Sequence, residues 1–171
     1  MTFTMAAPRR SGLQRFGPTD APLLYETSVM TMPTLDPPAT DEMMEWATAS
    51  GNVVKVLFGD PEADGMSLVW SWFAPEYPLP RHSHSADCMY YVTKGELRMG
   101  RQVIREGEGF FVPSGAPYAY TAGSEGVEVL EFRSTSTFDM QISESMPRWE
   151  KILESVRTHR DQWQRETPAH H

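Results

Sequence analysis

Arg81-His82-Ser83-His84-Ser85-Ala86-Asp87-Cys88-Met89-Tyr90-Tyr91-Val92-Thr93-Lys94-Gly95 is the stretch around which the chain is organised. It places two histidines, the only cysteine and a tyrosine at even positions. Side chains of an extended chain alternate faces with period 2, so His82, His84, Cys88 and Tyr90 share one face unless a bulge shifts the phase. Residues i and i+2 of a strand stand roughly 7 Å apart at Cα, close enough for two imidazoles to converge on one ion. His-x-His on a strand is therefore a candidate metal chelate.

The flanking sequence reads as short strands broken by Gly and Pro. Downstream, Glu96 to Met99 and Gln102 to Ile104 form a hairpin turning at Gly100-Arg101. Phe110-Phe111-Val112 and Pro117 to Thr121 follow, and Gly123 to Gly126 reads as a turn before a last strand, Val127 to Arg133. Upstream, Val53 to Phe58 is a strand, 59–65 is dense in turn formers, and Met66 to Phe73 is a second strand. That strand puts Leu68, Trp70 and Trp72 on one face and Val69, Ser71 and Phe73 on the other. Trp70 and Trp72 are candidates to wall a pocket for an apolar or aromatic ligand, with core filling as the alternative. This pattern calls for an antiparallel double sheet, an all-β fold.

The same stretch resembles the cupin family. The first cupin signature reads His-x-His, three or four residues, Glu, six residues, Gly, and His82, His84 and Gly95 fall in those places. The second reads Gly, five residues, Pro-x-Gly, two residues, His, and Gly107, Pro113 and Gly115 match it. The chain departs at the Glu ligand, which is Cys88, at the last His ligand, which is Tyr118, and at a glycine six residues before the first His, which is Glu76. The resemblance implies a jelly-roll barrel, a bound divalent metal ion, dioxygenase, lyase, isomerase or decarboxylase chemistry on a small molecule, and a homodimer. A non-catalytic ligand- or metal-binding module is the alternative.

The expected metal ligands are His82, His84 and Cys88, a set suited to Zn²⁺ or copper and less clearly to nickel or iron. A bulge that exchanged Asp87 for Cys88 would give two histidines and a carboxylate instead, the non-haem iron set. Of the five histidines only this pair falls in the barrel; His159, His170 and His171 do not. Tyr90 and Tyr118 are candidate catalytic groups, a phenol serving as hydrogen-bond donor or as acid or base. Tyr120 shares their facing and joins the expected pocket. Arg98 and Arg133 are candidates to bind a substrate carboxylate.

Composition sets outer bounds. A chain of 171 residues, 40% apolar, suits one domain. A net charge of −8 without a basic stripe argues against nucleic acid. A single cysteine allows no internal disulfide, no run approaches the roughly 20 apolar residues of a membrane span, and no signal-peptide pattern opens the chain. A cytoplasmic protein is expected. The organisation reads as a Pro-rich arm and short helix over 1–50, a barrel over 51–135, and a connector with an amphipathic helix over 136–171. Within the arm, Leu23 to Met30 is a candidate edge strand and Asp41 to Trp46 a short helix capped by Thr40. Trp149, Ile152, Leu153, Val156 and Trp163 recur at helical spacing between Pro147 and Arg165.

Overall fold

The computed structural model describes residues 12–31, 34–35 and 41–168. It is an all-β jelly roll with one long C-terminal helix. Two strands carry the architecture: β5 (Cys88–Met99) and β8 (Tyr118–Arg133) lie antiparallel along most of their length. At one end, β8 pairs with β3 (Ser67–Phe73), which pairs with β2 (Asn52–Phe58), while β5 pairs with β7 (Gly109–Val112). At the other end, β8 pairs with β4 (Pro78–Ser83) and β5 with β6 (Gln102–Arg105). The two long strands thus pass from one sheet into the other. A short β9 (Gln141–Ile142) extends the second sheet beside β4 and pairs parallel with β1 (Thr34–Leu35).

The expected hairpin is present, with Met99 opposite Gln102 and Gly100 at φ 61° taking the turn. The expected turn at Gly123 to Gly126 is not, because β8 runs through it unbroken. Those glycines instead sit against close neighbours on other strands. Gly126 has φ 77°, and a Cβ there would stand 2.6 Å from the Phe73 carbonyl, so only glycine lets β8 cross between sheets against β3. The single strand expected from His82 to Tyr90 is instead two. β4 ends at Ser83, and the corner is held by Gly115 N–H on the His84 carbonyl at 2.8 Å and Ser85 N–H on the Asp139 carboxylate at 2.6 Å. Burial still alternates through the corner, so the even positions face inward on both sides of it.

The N-terminal segment does not form the edge strand expected over Leu23 to Met30. A single 3-10 turn, Leu24–Glu26, interrupts it, leaving two isolated bridges, Leu23 to Lys55 and Met30 to Phe138. Helix α1 spans Asp41–Ala47; its expected cap, Thr40, lies outside the described residues, as do His170 and His171. Helix α2, Met146–Glu166, buries Trp149, Ile152, Leu153, Val156 and Trp163, the predicted stripe. Trp149 meets Trp46 edge-on at 5.9 Å, and the Trp163 indole donates to the Pro75 carbonyl at 2.8 Å, which fastens the helix to α1 and to the segment after β3. No described helix is long and apolar enough to cross a membrane.

Candidate functional site

The barrel encloses a cavity of about 290 Å³. Its polar wall is made by His82 and His84 from the β4 corner, Tyr118 and Tyr120 from the start of β8, Glu131 and Arg133 from its end, and Ser71 from β3. Aromatic and aliphatic side chains, among them Phe73, Tyr77 and Phe138, make most of the rest, with Asn52 from β2 beside them.

Both imidazoles are anchored through the same nitrogen. His82 Nδ1 lies 2.8 Å from the Pro80 carbonyl and His84 Nδ1 lies 2.5 Å from the Asp139 carbonyl. A carbonyl only accepts, so each Nδ1 carries the proton and each Nε2 is left with its lone pair. The rings stand 4.9 Å apart and nearly perpendicular. Burial holds both rings neutral, bringing His82 down to about 4 and lowering His84 as well, with neighbouring positive charge adding to the effect.

From His84 a hydrogen-bonded chain runs across both sheets. Its Nε2 meets the Tyr118 hydroxyl at 3.2 Å, Tyr118 bonds to the Tyr90 hydroxyl, and Arg133 Nη2 reaches Tyr90 at 3.5 Å. Arg133 in turn donates to Glu131 at 2.6 Å, and the other Glu131 oxygen accepts from Ser71 at 2.5 Å. The two ends set every direction between them. Arginine can only donate and the Asp139 carbonyl can only accept, so Tyr90 donates to Tyr118 and Tyr118 donates to His84. Burial pushes the three tyrosines, Tyr90, Tyr118 and Tyr120, well above the usual phenol range, so they act as neutral donors. Burial also opposes the charge on Glu131, but the Arg133 guanidinium and the Ser71 hydroxyl hold its carboxyl below the usual range. Glu131 and Arg133 are thus a buried ion pair within the cavity wall.

The expected site residues divide into three groups. His82, His84, Tyr118 and Tyr120 are brought together on the cavity, with Tyr90 directly behind Tyr118. Cys88 is buried but does not join the histidines: among the described residues no three His, Cys, Asp or Glu side chains converge as a metal-holding group. Its thiol faces the Met89 carbonyl at 3.8 Å, and burial pushes it up to about 12, so it is a neutral thiol. Asp87 is exposed and accepts from Ser114 N–H at 2.7 Å. Trp70 and Trp72 do not line the cavity, because the inward face of β3 is the one carrying Val69, Ser71 and Phe73. Arg98 lies outside as well, bonded to the Ala122 carbonyl at 3.0 Å and to Glu76. Glu76, standing where the cupin pattern has glycine, is the one described non-glycine residue in the left-handed region, φ 59°.

Glu131 and Ser71 were missed. Their signal was parity: Glu131 is in phase with Val127 and Val129 on β8, and Ser71 with Val69 and Phe73 on β3. A charged residue in phase with inward valines marks a buried charge that needs a partner.

A family model described as the ChrR cupin-like domain matches residues 38–137. A search of curated proteins gave no match. Among solved structures, KdgF from Halomonas sp. aligns at 19% identity over 50% of this chain and 79% of its own, with a TM-score of 0.45. Oxalate decarboxylase from Bacillus subtilis, an enzyme with Mn(II) centres, aligns at 23% identity over 52% of this chain and 26% of its own, TM-score 0.47. Salicylate 1,2-dioxygenase from Pseudoaminobacter salicylatoxidans, with gentisate bound, aligns at 15% identity over 49% and 25%, TM-score 0.42.

Proposed function

Because the chain belongs to the ChrR cupin-like domain family, we propose that its cavity is the site of a small-molecule enzyme that uses a divalent metal ion held by His82 and His84. The observation that supports this most is the shared tautomer of the two rings. Each is anchored by Nδ1–H on a backbone carbonyl, the outer support that leaves the Nε2 lone pair as the donor of a metal-ligating histidine, in His84 a lone pair that now accepts from Tyr118. The donor set is two imidazoles with the Tyr118 oxygen beside them. Cys88 and Glu131 stay out, one bonded to its own strand, the other committed to Arg133 and Ser71. Such a set suits Zn, Cu, Fe or Ni and leaves positions for water or substrate. Bound there, the ion supplies Lewis acidity toward a substrate oxygen, or a site for O₂, which spans lyase, isomerase and dioxygenase chemistry.

The chain's own residues do the rest. Tyr118 and Tyr120, neutral through burial, offer hydroxyls to a substrate oxygen, and the Tyr90 hydroxyl behind Tyr118 fixes its orientation. The aromatic wall of Phe73, Tyr77 and Phe138 excludes water from an apolar portion of the ligand.

A second reading, a non-catalytic ligand- or metal-binding module, is favoured by one feature. The polarised chain gives His84, both tyrosines and Glu131 partners from within the protein. Metal analysis of protein purified without an affinity tag, after loading with each candidate ion and gel filtration, tests the first reading. About one equivalent per chain in the wild type and in Cys88→Ser, and none in His84→Ala, is expected. No retained metal, or equal retention in His84→Ala, overturns it. Metal retention with no turnover across a panel of small acids, phenols and ketones, with and without O₂, leaves the binding module.

A further inference from the structure

His82 and His84 are 2% and 7% exposed, so a ligand reaches them only if part of the cavity wall moves. Of the residues that line the cavity, two are exposed: Tyr25 on the 3-10 turn, at 78%, and Ala47 at the end of α1. The cavity therefore comes to the surface between that turn and α1. The two lips are held very differently. Helix α1 is fastened by the Trp46 indole on the Pro78 carbonyl at 3.2 Å, by the edge contact with Trp149, and by Glu45, which accepts from Arg157 at 2.9 Å and Arg160 at 2.7 Å. The turn is closed on itself. Glu26 N–H donates to the Leu23 carbonyl at 2.9 Å, and the Glu26 carboxylate accepts from Leu23 N–H at 3.1 Å. The N–H and hydroxyl of Thr27 donate to the Leu24 carbonyl at 3.1 and 2.8 Å. Among the described residues, no hydrogen bond joins 24–28 to the barrel.

Both flanks of the turn, by contrast, are tied down. Before it, Val56 N–H donates to the Pro22 carbonyl at 3.0 Å and Lys55 Nζ to the Pro18 carbonyl at 2.7 Å. After it, Phe138 N–H donates to the Val29 carbonyl at 3.0 Å and Thr31 N–H to the Phe138 carbonyl at 2.9 Å. The segment is thus anchored at both ends with an unanchored turn between them. What holds the turn down is Leu24, half-buried against the apolar cluster that includes Val29, Val56 and Phe138. We propose that this turn is the gate of the cavity. It lifts between its two anchors to admit a ligand, and Leu24, itself part of the cavity wall, is the side chain that decides what passes. Lifting breaks no hydrogen bond to the barrel and uncovers one aliphatic side chain, so it takes far less than detaching α1 or parting two strands. The gate rests on the reading of this cavity as a ligand site; it needs no metal.

Carbethoxylation of histidine by diethyl pyrocarbonate, a small uncharged probe, tests the gate in the full chain stripped of metal with a chelator. Modified sites are mapped by mass spectrometry at pH 7, with the half-buried His159 on α2 as internal reference. Leu24→Ala, which thins the contact holding the turn, should speed modification of His82 and His84 about 10-fold or more and leave His159 unchanged. Lys55→Met, which frees the anchor at Pro18, should change their rate less than about twofold. In the wild type the rate should stay flat as urea rises to about half the unfolding midpoint, because lifting a turn exposes little surface. A rate that Leu24→Ala leaves unchanged, that Lys55→Met raises as much as Leu24→Ala does, or that climbs with urea in step with unfolding overturns the proposal. No metal takes part, so this outcome is independent of the metal retention that tests the reading of the site.

Discussion

Replacing Glu131 by glutamine removes one half of the buried ion pair and should be expensive. The Arg133 side chain has no exposure, and among the described residues Glu131 is its one close acceptor, at 2.6 Å. Without that carboxylate the guanidinium keeps the Tyr90 hydroxyl at 3.5 Å and the face of Phe138 at 3.8 Å. Among the described residues its Nε and Nη1 have no hydrogen-bond partner. Leaving a buried charge uncompensated costs about 3–5 kcal/mol, and the low end applies because the amide keeps a carbonyl acceptor. About 3 kcal/mol in a chain of this size is a fall in Tm of roughly 6–12 °C. Urea denaturation of Glu131→Gln, Arg133→Met and the double variant reads it directly, and the double should cost clearly less than the two singles together.

The pH dependence carries the sign. With its folded pKa below the unfolded value of 4.5, Glu131 contributes stability that is present above that value and lost as pH falls through the folded one. The gap between wild type and Glu131→Gln should therefore be full at pH 7 and shrink below about pH 4.5. A loss under about 1 kcal/mol at pH 7, or strict additivity of the two singles, would refute the view that this pair is a coupled element of the site.

Tyr118→Phe deletes the hydroxyl between Tyr90 and His84, leaving a buried donor and a buried acceptor unpaired; about 2–3 kcal/mol of stability should go, read by denaturant titration, with much less added by Tyr90→Phe. Cys88, buried and with its pKa at about 12, should resist a thiol reagent at pH 8 for hours in the native protein and react within seconds in guanidinium. Gly126→Ala should cost at least about 2 kcal/mol, combining a left-handed backbone with a clash at the Phe73 carbonyl, and calorimetry should show it without any change in the order of the strands.

Most of the barrel was legible because its signals are local. Gly100-Arg101 between two apolar runs specifies a hairpin, and the stripe from Trp149 to Trp163 specifies which side of a helix is buried. What failed was non-local. Gly123 and Gly126 look like turn residues, but β8 runs through both, and the close neighbours that call for glycine there, Glu96 on β5 and the Phe73 carbonyl on β3, exist only once the strands meet. The period-2 reading of His82, His84, Cys88 and Tyr90 gave the correct facing through a corner it did not foresee. Facing alone, however, does not bring Cys88 to the histidines. On β3 the alternation was seen and Trp70 and Trp72 were left between pocket wall and core filling; it is the other face, with Val69, Ser71 and Phe73, that lines the cavity. Arg98 faced a similar ambiguity, resolved by a partner, Glu76, that sequence proximity does not suggest.

The substitutions at the two signature positions act together. Where the cupin pattern places a carboxylate and an imidazole, this chain has a thiol and a phenol, both neutral through burial, so neither brings charge to the histidine pair. A carboxylate is nevertheless present, brought by β8 at position 131 and neutralised by Arg133 two residues along the same strand. The cavity therefore has no net fixed charge from these groups, and its polarity comes from directed hydrogen bonds. Those directions begin at Arg133, pass through Tyr90 and Tyr118, and end on His84. A ligand oxygen that takes the Tyr118 proton as acceptor must release His84 Nε2 at the same time, so binding of the ligand and freeing of the imidazole lone pair are one event at one hydroxyl.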